Sequence, residues 1–134
     1  MTLETNPIRV GIVDDHEIFR KVIQVVLEGQ RGISVVAEAE NGLRAIEMVE
    51  QHRPDVVLMD INMPFMNGVT ATQIIKSQFP ETCIIVLSTH TDDCTRLHSL
   101  EAGASHCLSK AFNPSGLINV IRNSFLEPTQ ASSP

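Results

Sequence analysis

A chain of 134 residues, 43% hydrophobic and 19% charged, is long enough to build one cored domain without disulfide or metal staples. Its net charge of −6 argues against direct nucleic-acid contact by this segment, and no apolar run approaches the roughly 20 residues that span a bilayer. The cysteines Cys83, Cys94 and Cys107 form no CxxC pair, and the opening MTLETNP has neither the basic nor the apolar stretch of a secretory signal, so the reading is a reduced, cytoplasmic protein.

Residues 1–7 read as an N-terminal extension. The first dense apolar run, IRVGIV (8–13), suits a strand, and HEIFRKVIQVVLEG after it places Ile18, Phe19, Val22, Ile23 and Val26 at helical spacing. ISVVAEA (33–39) is a second strand, followed by the helical GLRAIEMVEQH with Ala45, Ile46 and Val49. DVVLM (55–59) is a third, continuously apolar as strands covered on both faces are, and GVTATQIIKSQF supplies a helix with Val69, Ile74, Ile75 and Phe79. CIIVLS (83–88) precedes the weaker helix DDCTRLHSLEAG, which carries Leu97 and Leu100 and stops at Gly103. SHCLS (105–109) is the last strand. Asn113-Pro114 then suits the cap and first turn of a helix striped by Leu117, Ile118, Val120, Ile121 and Phe125. EPTQASSP (127–134) reads as a frayed tail or the start of a linker, leaving one domain over 8–126.

Five strand–helix alternations predict an α/β fold, a parallel sheet with helices on both faces, and crossover handedness leaves few topologies, among them the flavodoxin-like (βα)5 doubly wound sheet of strand order 2-1-3-4-5. In such a sheet the C-terminal strand ends share one edge, and ligands bind outside it where the strand order reverses. Strand one ends at Asp14-Asp15, strand three at Asp60, strand four at Ser88-Thr89 and strand five at Lys110. Three carboxylates at one crevice repel unless a cation lies among them, and hard oxygen donors suit Mg²⁺, with Mn²⁺ as the alternative. A carboxylate beside such a cation can act as a nucleophile toward phosphorus, with a hydroxyl and an ammonium meeting the remaining phosphoryl oxygens.

These residues, with the segments VDDH, VVLMDINMPFMNG, VLST and EAGASHCLSK in that order, resemble the receiver domain of two-component response regulators over residues 8 to about 126. VDDHEIFRKVIQVVLE and DINMP look most like receivers attached to helix-turn-helix outputs of the NarL/FixJ/LuxR type. The resemblance implies that Asp60 accepts a phosphoryl group from a sensor histidine kinase or a phosphotransfer protein. It implies that Asp14, Asp15 and Asp60 hold the metal with the backbone carbonyl of Asn62, and that Lys110 pairs with the acceptor carboxylate. Ser88 and Thr89 would answer phosphorylation with a loop shift, and Asn62 and His90 would tune loss of the phosphoryl group. Homodimerisation on phosphorylation belongs to the same expectation, with no membrane contact and no direct nucleic-acid contact by this segment.

Three positions depart from the pattern, one of them His90, two residues after the Ser88 hydroxyl. Cys107 stands where the family commonly has Tyr or Phe, so gating by an aromatic ring there is excluded. Ala111 follows Lys110 where Pro is usual, and a cis bond to a non-proline residue costs about 2.5–4 kcal/mol.

Taken singly, each residue has a plainer role. Asp60 alone would be a cap or turn residue, Asp14-Asp15 a favourable helix start, and Lys110 a solvated charge. His16 beside the aspartates invites a zinc reading, against which stands the plainer one of a side chain facing solvent at the helix start, and His52, His98 and His106 lack ligand spacing. Met59, Met63 and Met66 read as packing; Leu97, Leu100, Leu108, Leu117 and Ile121 read as core. Two other functions stand beside the switch. A Mg²⁺-dependent phosphohydrolase of the haloacid-dehalogenase type would place an Asp two residues after its nucleophile, where this chain has Asn62. A phosphorylation-independent interaction module is the other, favoured by Cys107 and Ala111 and opposed by the intact acids, Ser88 and Lys110.

Overall fold

Five apolar runs become five parallel strands, β1 (Ile8–Val13), β2 (Ile33–Ala39), β3 (Val56–Asp60), β4 (Cys83–Ser88) and β5 (His106–Ser109), hydrogen bonded in the order β2-β1-β3-β4-β5. The computed structural model describes residues 6–89 and 92–126. Between the strands run α1 (Glu17–Glu28), α2 (Gly42–His52), α3 (Gly68–Gln78) and α4 (Asp93–Glu101), and α5 (Pro114–Leu126) follows β5. The central strand β3 is buried at every residue, as its unbroken apolar sequence requires.

The caps follow the sequence. Asn41, Asn67 and Asp92 each accept a hydrogen bond from the backbone N–H three residues on, which starts α2, α3 and α4. The Asn113 side chain accepts from the N–H groups of Ser115 and Gly116 at the start of α5. Gly103, at φ +116°, ends the α4 segment in a conformation that few side chains tolerate.

Each sheet face carries its own core. On one, Ile23 and Leu27 of α1 and Leu117, Ile118 and Ile121 of α5 cover Val10, Ile12, Leu58, Ile85 and Leu87. On the other, Ala45, Met48 and Val49 of α2 and Ala71 and Ile75 of α3 cover Val57, Met59, Ile84, Val86 and Cys107. Full burial of one such Ile or Leu contributes about 1.5–3 kcal/mol, so alternate residues of each strand anchor opposite helices. Met63 and Met66 pack against the second core, in keeping with their reading as packing residues.

Two groups of apolar helix residues lie outside it, of which Leu97 and Leu100 were expected in the core. Ile18 is 78% exposed and Val22 48% exposed, and Leu97 and Leu100 of α4 are exposed as well. Apolar residues occupy so much of the α1 circumference that the sheet can take only one arc, the one bearing Phe19, Ile23, Val26 and Leu27. The remainder, with Val25, forms an apolar stripe toward solvent. Asp60 is itself the last residue of β3, not the residue after it.

Candidate functional site

The parallel register carries the chemistry to one rim. Val13 pairs with Met59, so Asp14 leaves β1 level with Asp60, and Ser88 pairs with Ser109, so Lys110 leaves β5 level with the end of β4. The Lys110 N–H donates to the Ser88 carbonyl at 2.9 Å. From there its side chain reaches back past β4: Nζ lies 2.7 Å from Asp14 Oδ2 and 3.3 Å from Asp60 Oδ1. The pairing is therefore shared, and closer to Asp14 than to the acid that the resemblance singles out. Every peptide bond among the described residues is trans, the Lys110–Ala111 bond included.

Backbone geometry fixes Asp60. Asn62 N–H donates to Asp60 Oδ1 at 3.3 Å, and Gly68 N–H closes the loop on the Ile61 carbonyl at 2.8 Å. A Cβ at Gly68 would overlap the Asp60 carbonyl oxygen, so only glycine lets α3 begin this close to the strand end. Asp60 is 3% exposed and Asp14 1%. Burial first, and the charge of Asp14 second, push the Asp60 carboxyl from 3.8 up to about 6, against the pull of Lys110 and the Asn62 N–H. Burial opposes the Lys110 ammonium, but its hydrogen bond to Asp14 and the charges of Asp60 and Asp14 outweigh that, and its pKa lies above 10.5.

The response regulator receiver domain model matches residues 10–122. The chain belongs to that family. This receiver is 41% identical over 117 residues to the transcriptional regulatory protein DegU of Brevibacillus brevis, covering 87% of this chain and 50% of DegU. It is 39% identical over 116 residues to the response regulator UvrY of Escherichia coli K12, covering 87% of this chain and 53% of UvrY. The chain thus spans about half the length of these two regulators. The signal receiver domain of NarL from Mycobacterium tuberculosis superposes with a TM-score of 0.88 at 28% identity, covering 92% of this chain and 99% of that one.

The receiver's acid crevice fits a hard divalent cation. Asp14, Asp15, His16 and Asp60 each bring a donor atom to within 4.8 Å of the others, and one ammonium stands against three carboxylates. Asp60 Oδ2 is buried with no hydrogen-bond partner among the described residues, as suits an oxygen placed to meet a cation. Ser88 is buried at the end of β4 beside β3, Thr89 follows it at the surface, and His90 lies outside the described residues. Cys107 is 2% exposed on β5, within the second core.

The roles of Phe19 and Arg20 escaped the sequence reading of this receiver, and that of His16 was read only in part. Phe19, expected as core, also lies under the Lys110 ammonium, which sits 4.6 Å from the ring centroid, and its ring meets Phe112 edge-on at 6.2 Å. Arg20 donates to the Asp14 carbonyl at 2.6 Å and to Glu38 at 2.8 Å, clamping the β1 end against β2. His16 is solvent-facing as expected, yet its Nδ1 lies 3.1 Å from both Asp14 and Asp15. The Phe19 and Arg20 contacts join residues far apart in the chain, so spacing carries no signal for them.

Proposed function

We propose that Asp60 is the phosphoacceptor of a signalling switch, supplied by a phosphohistidine on a sensor kinase or phosphotransfer protein. The observation that carries this is the buried Asp60 Oδ2, without a hydrogen-bond partner, on a carboxyl whose other oxygen faces Lys110. One oxygen is steered by the ammonium, and the other is open to a new bond. A carboxylate oxygen of Asp60 bonds phosphorus as the P–N bond to the donor imidazole breaks, and the departing nitrogen takes up a proton. Mg²⁺, or Mn²⁺ in its place, would be held by Asp14, Asp15, Asp60 and the Asn62 carbonyl and would neutralise charge on the transferring group. Lys110 then meets a phosphoryl oxygen, and the Ser88 hydroxyl, with Thr89 beside it, meets another. His90 and Asn62 set the lifetime of the acyl phosphate. The apolar stripe of Ile18, Val22 and Val25 begins one turn from the acids, which suits it to hold the donor protein while the group is transferred.

The product stays on the protein, so the chain turns over no substrate beyond its own phosphorylation and dephosphorylation. With Asn62 two residues past the acceptor, the dehalogenase-type acid is missing. The receiver domain occupies 8–126 and serves transcriptional control in a cytoplasmic regulator that dimerises when phosphorylated; residues 1–5 of the extension and the tail or linker over 127–134 lie outside the described residues. Beryllofluoride with Mg²⁺ tests the reading. Altered amide resonances around Ser88 and Lys110, absent in Asp60→Asn, are expected. Identical responses in the two proteins would refute it, and rapid phosphate release from small esters would favour the hydrolase.

A further inference from the structure

Resting on the reading of the acid crevice as a divalent-cation site, we propose that His16 is a nitrogen ligand of that cation, biasing the site toward borderline metals such as Co²⁺ and Zn²⁺. Mg²⁺ takes oxygen donors, whereas imidazole suits the later divalent ions. The geometry is that of a coordination shell. Two donors about 2.1 Å from one cation and at right angles lie about 3 Å apart, and His16 Nδ1 is 3.1 Å from Asp14 Oδ1 and 3.1 Å from Asp15 Oδ1. Opposite donors in such a shell lie about 4.2 Å apart, and the four donors here fall within 4.8 Å of one another.

The two ends of the cluster differ in depth. Asp60, 3% exposed and with Oδ2 unpartnered, closes the cluster from the protein side; the His16 side chain, 68% exposed, covers it from solvent. The His16 stem is fixed, its N–H donating to Asp14 Oδ1 at 2.8 Å and its carbonyl accepting from Arg20 N–H at 3.1 Å. Its ring is spared the work of capping: His16 is the N-cap of α1, yet its side chain makes no cap hydrogen bond. Among the described residues no other histidine joins such a cluster. A distance of 3.1 Å also suits a hydrogen bond from the ring to the carboxylates, and the two roles separate by experiment.

The chain is titrated with Co²⁺ and with Mg²⁺, followed by visible absorption, competition and proton NMR, in wild type, His16→Ala, His90→Ala, Asp14→Asn and Asp60→Asn. Wild type is expected to show a strongly shifted imidazole N–H signal with Co²⁺. His16→Ala should lose that signal and lower the Co²⁺-to-Mg²⁺ affinity ratio about tenfold or more, with Mg²⁺ affinity held within about twofold. His90→Ala should keep both. An unchanged signal and ratio in His16→Ala overturns the proposal, as does loss of the signal in His90→Ala instead. If Asp14→Asn and Asp60→Asn leave binding of both ions untouched, the cation site itself falls, an outcome distinct from failure of His16 alone.

Discussion

Replacing Asp60 with asparagine is expected to stabilise the fold at neutral pH. Asp60 is 3% exposed, and burial and Asp14 together raise its carboxyl to about 6 from 3.8. Each unit corresponds to about 1.4 kcal/mol between protonation states, so holding the ionised acid in the folded protein costs up to roughly 3 kcal/mol above pH 6. Asparagine keeps the shape without the charge, and local relaxation trims the benefit to about 1–3 kcal/mol. Between about pH 4 and 6 the folded wild type keeps a proton that the unfolded chain has released. Its stability relative to the variant therefore falls as pH rises through that window and levels off above it. Below about pH 4 both side chains are neutral and the two proteins converge. Urea unfolding by circular dichroism from pH 4 to 8, in metal-free buffer, measures the difference. Equal stability at pH 7, or a wild type that gains on the variant as pH rises, would refute the assignment of burial and Asp14 as the dominant influences.

Lys110→Ala leaves Asp14 and Asp60 facing each other without their ammonium. A loss of about 3 kcal/mol is expected at pH 7 and less at pH 5, where Asp60 takes up a proton, as read by urea midpoints. Gly68→Ala drives a Cβ into the Asp60 carbonyl, so a loss of at least about 2 kcal/mol in chemical denaturation and weaker Mg²⁺ binding by calorimetry are expected together. Cys107→Tyr inserts a ring into a packed core and should cost about 1–3 kcal/mol in thermal melts, whereas Cys107→Ala should cost less.

Strand bounds were legible because most of the strands leave dense apolar runs, and those runs fall within a residue of the observed strands, whereas the sheet order was one of the few topologies that crossover handedness allows. The rim could be read for the same reason: once the strands are parallel, whatever follows each one shares an edge. Helix faces were less legible. In α1 the apolar residues cover so wide an arc that periodicity alone does not say which side meets the sheet, and Ile18 and Val22, of the same helical set as Phe19 and Ile23, face solvent. The sharing of Lys110 between Asp14 and Asp60, and the Phe19 ring beneath it, depend on side-chain reach across strands and leave no trace in spacing. Cys107 was legible as a departure from the family. It lies within the second core, where a ring would have to displace apolar neighbours.

Lys110 starts from β5, the shortest strand and one edge of the sheet, and passes beyond β4 to acids carried by β1 and β3. It works as a guy-rope. The outermost strand is tied to charge at the centre of the sheet through one flexible stem, braced by the Ser88 carbonyl at its foot and the Phe19 ring near its tip. Edge strands are held by a single ladder, so they yield first when a tether changes length. Any event that alters the charge on Asp60 changes the pull along that rope, whose far end is fastened at β5 and the segment leading into α5.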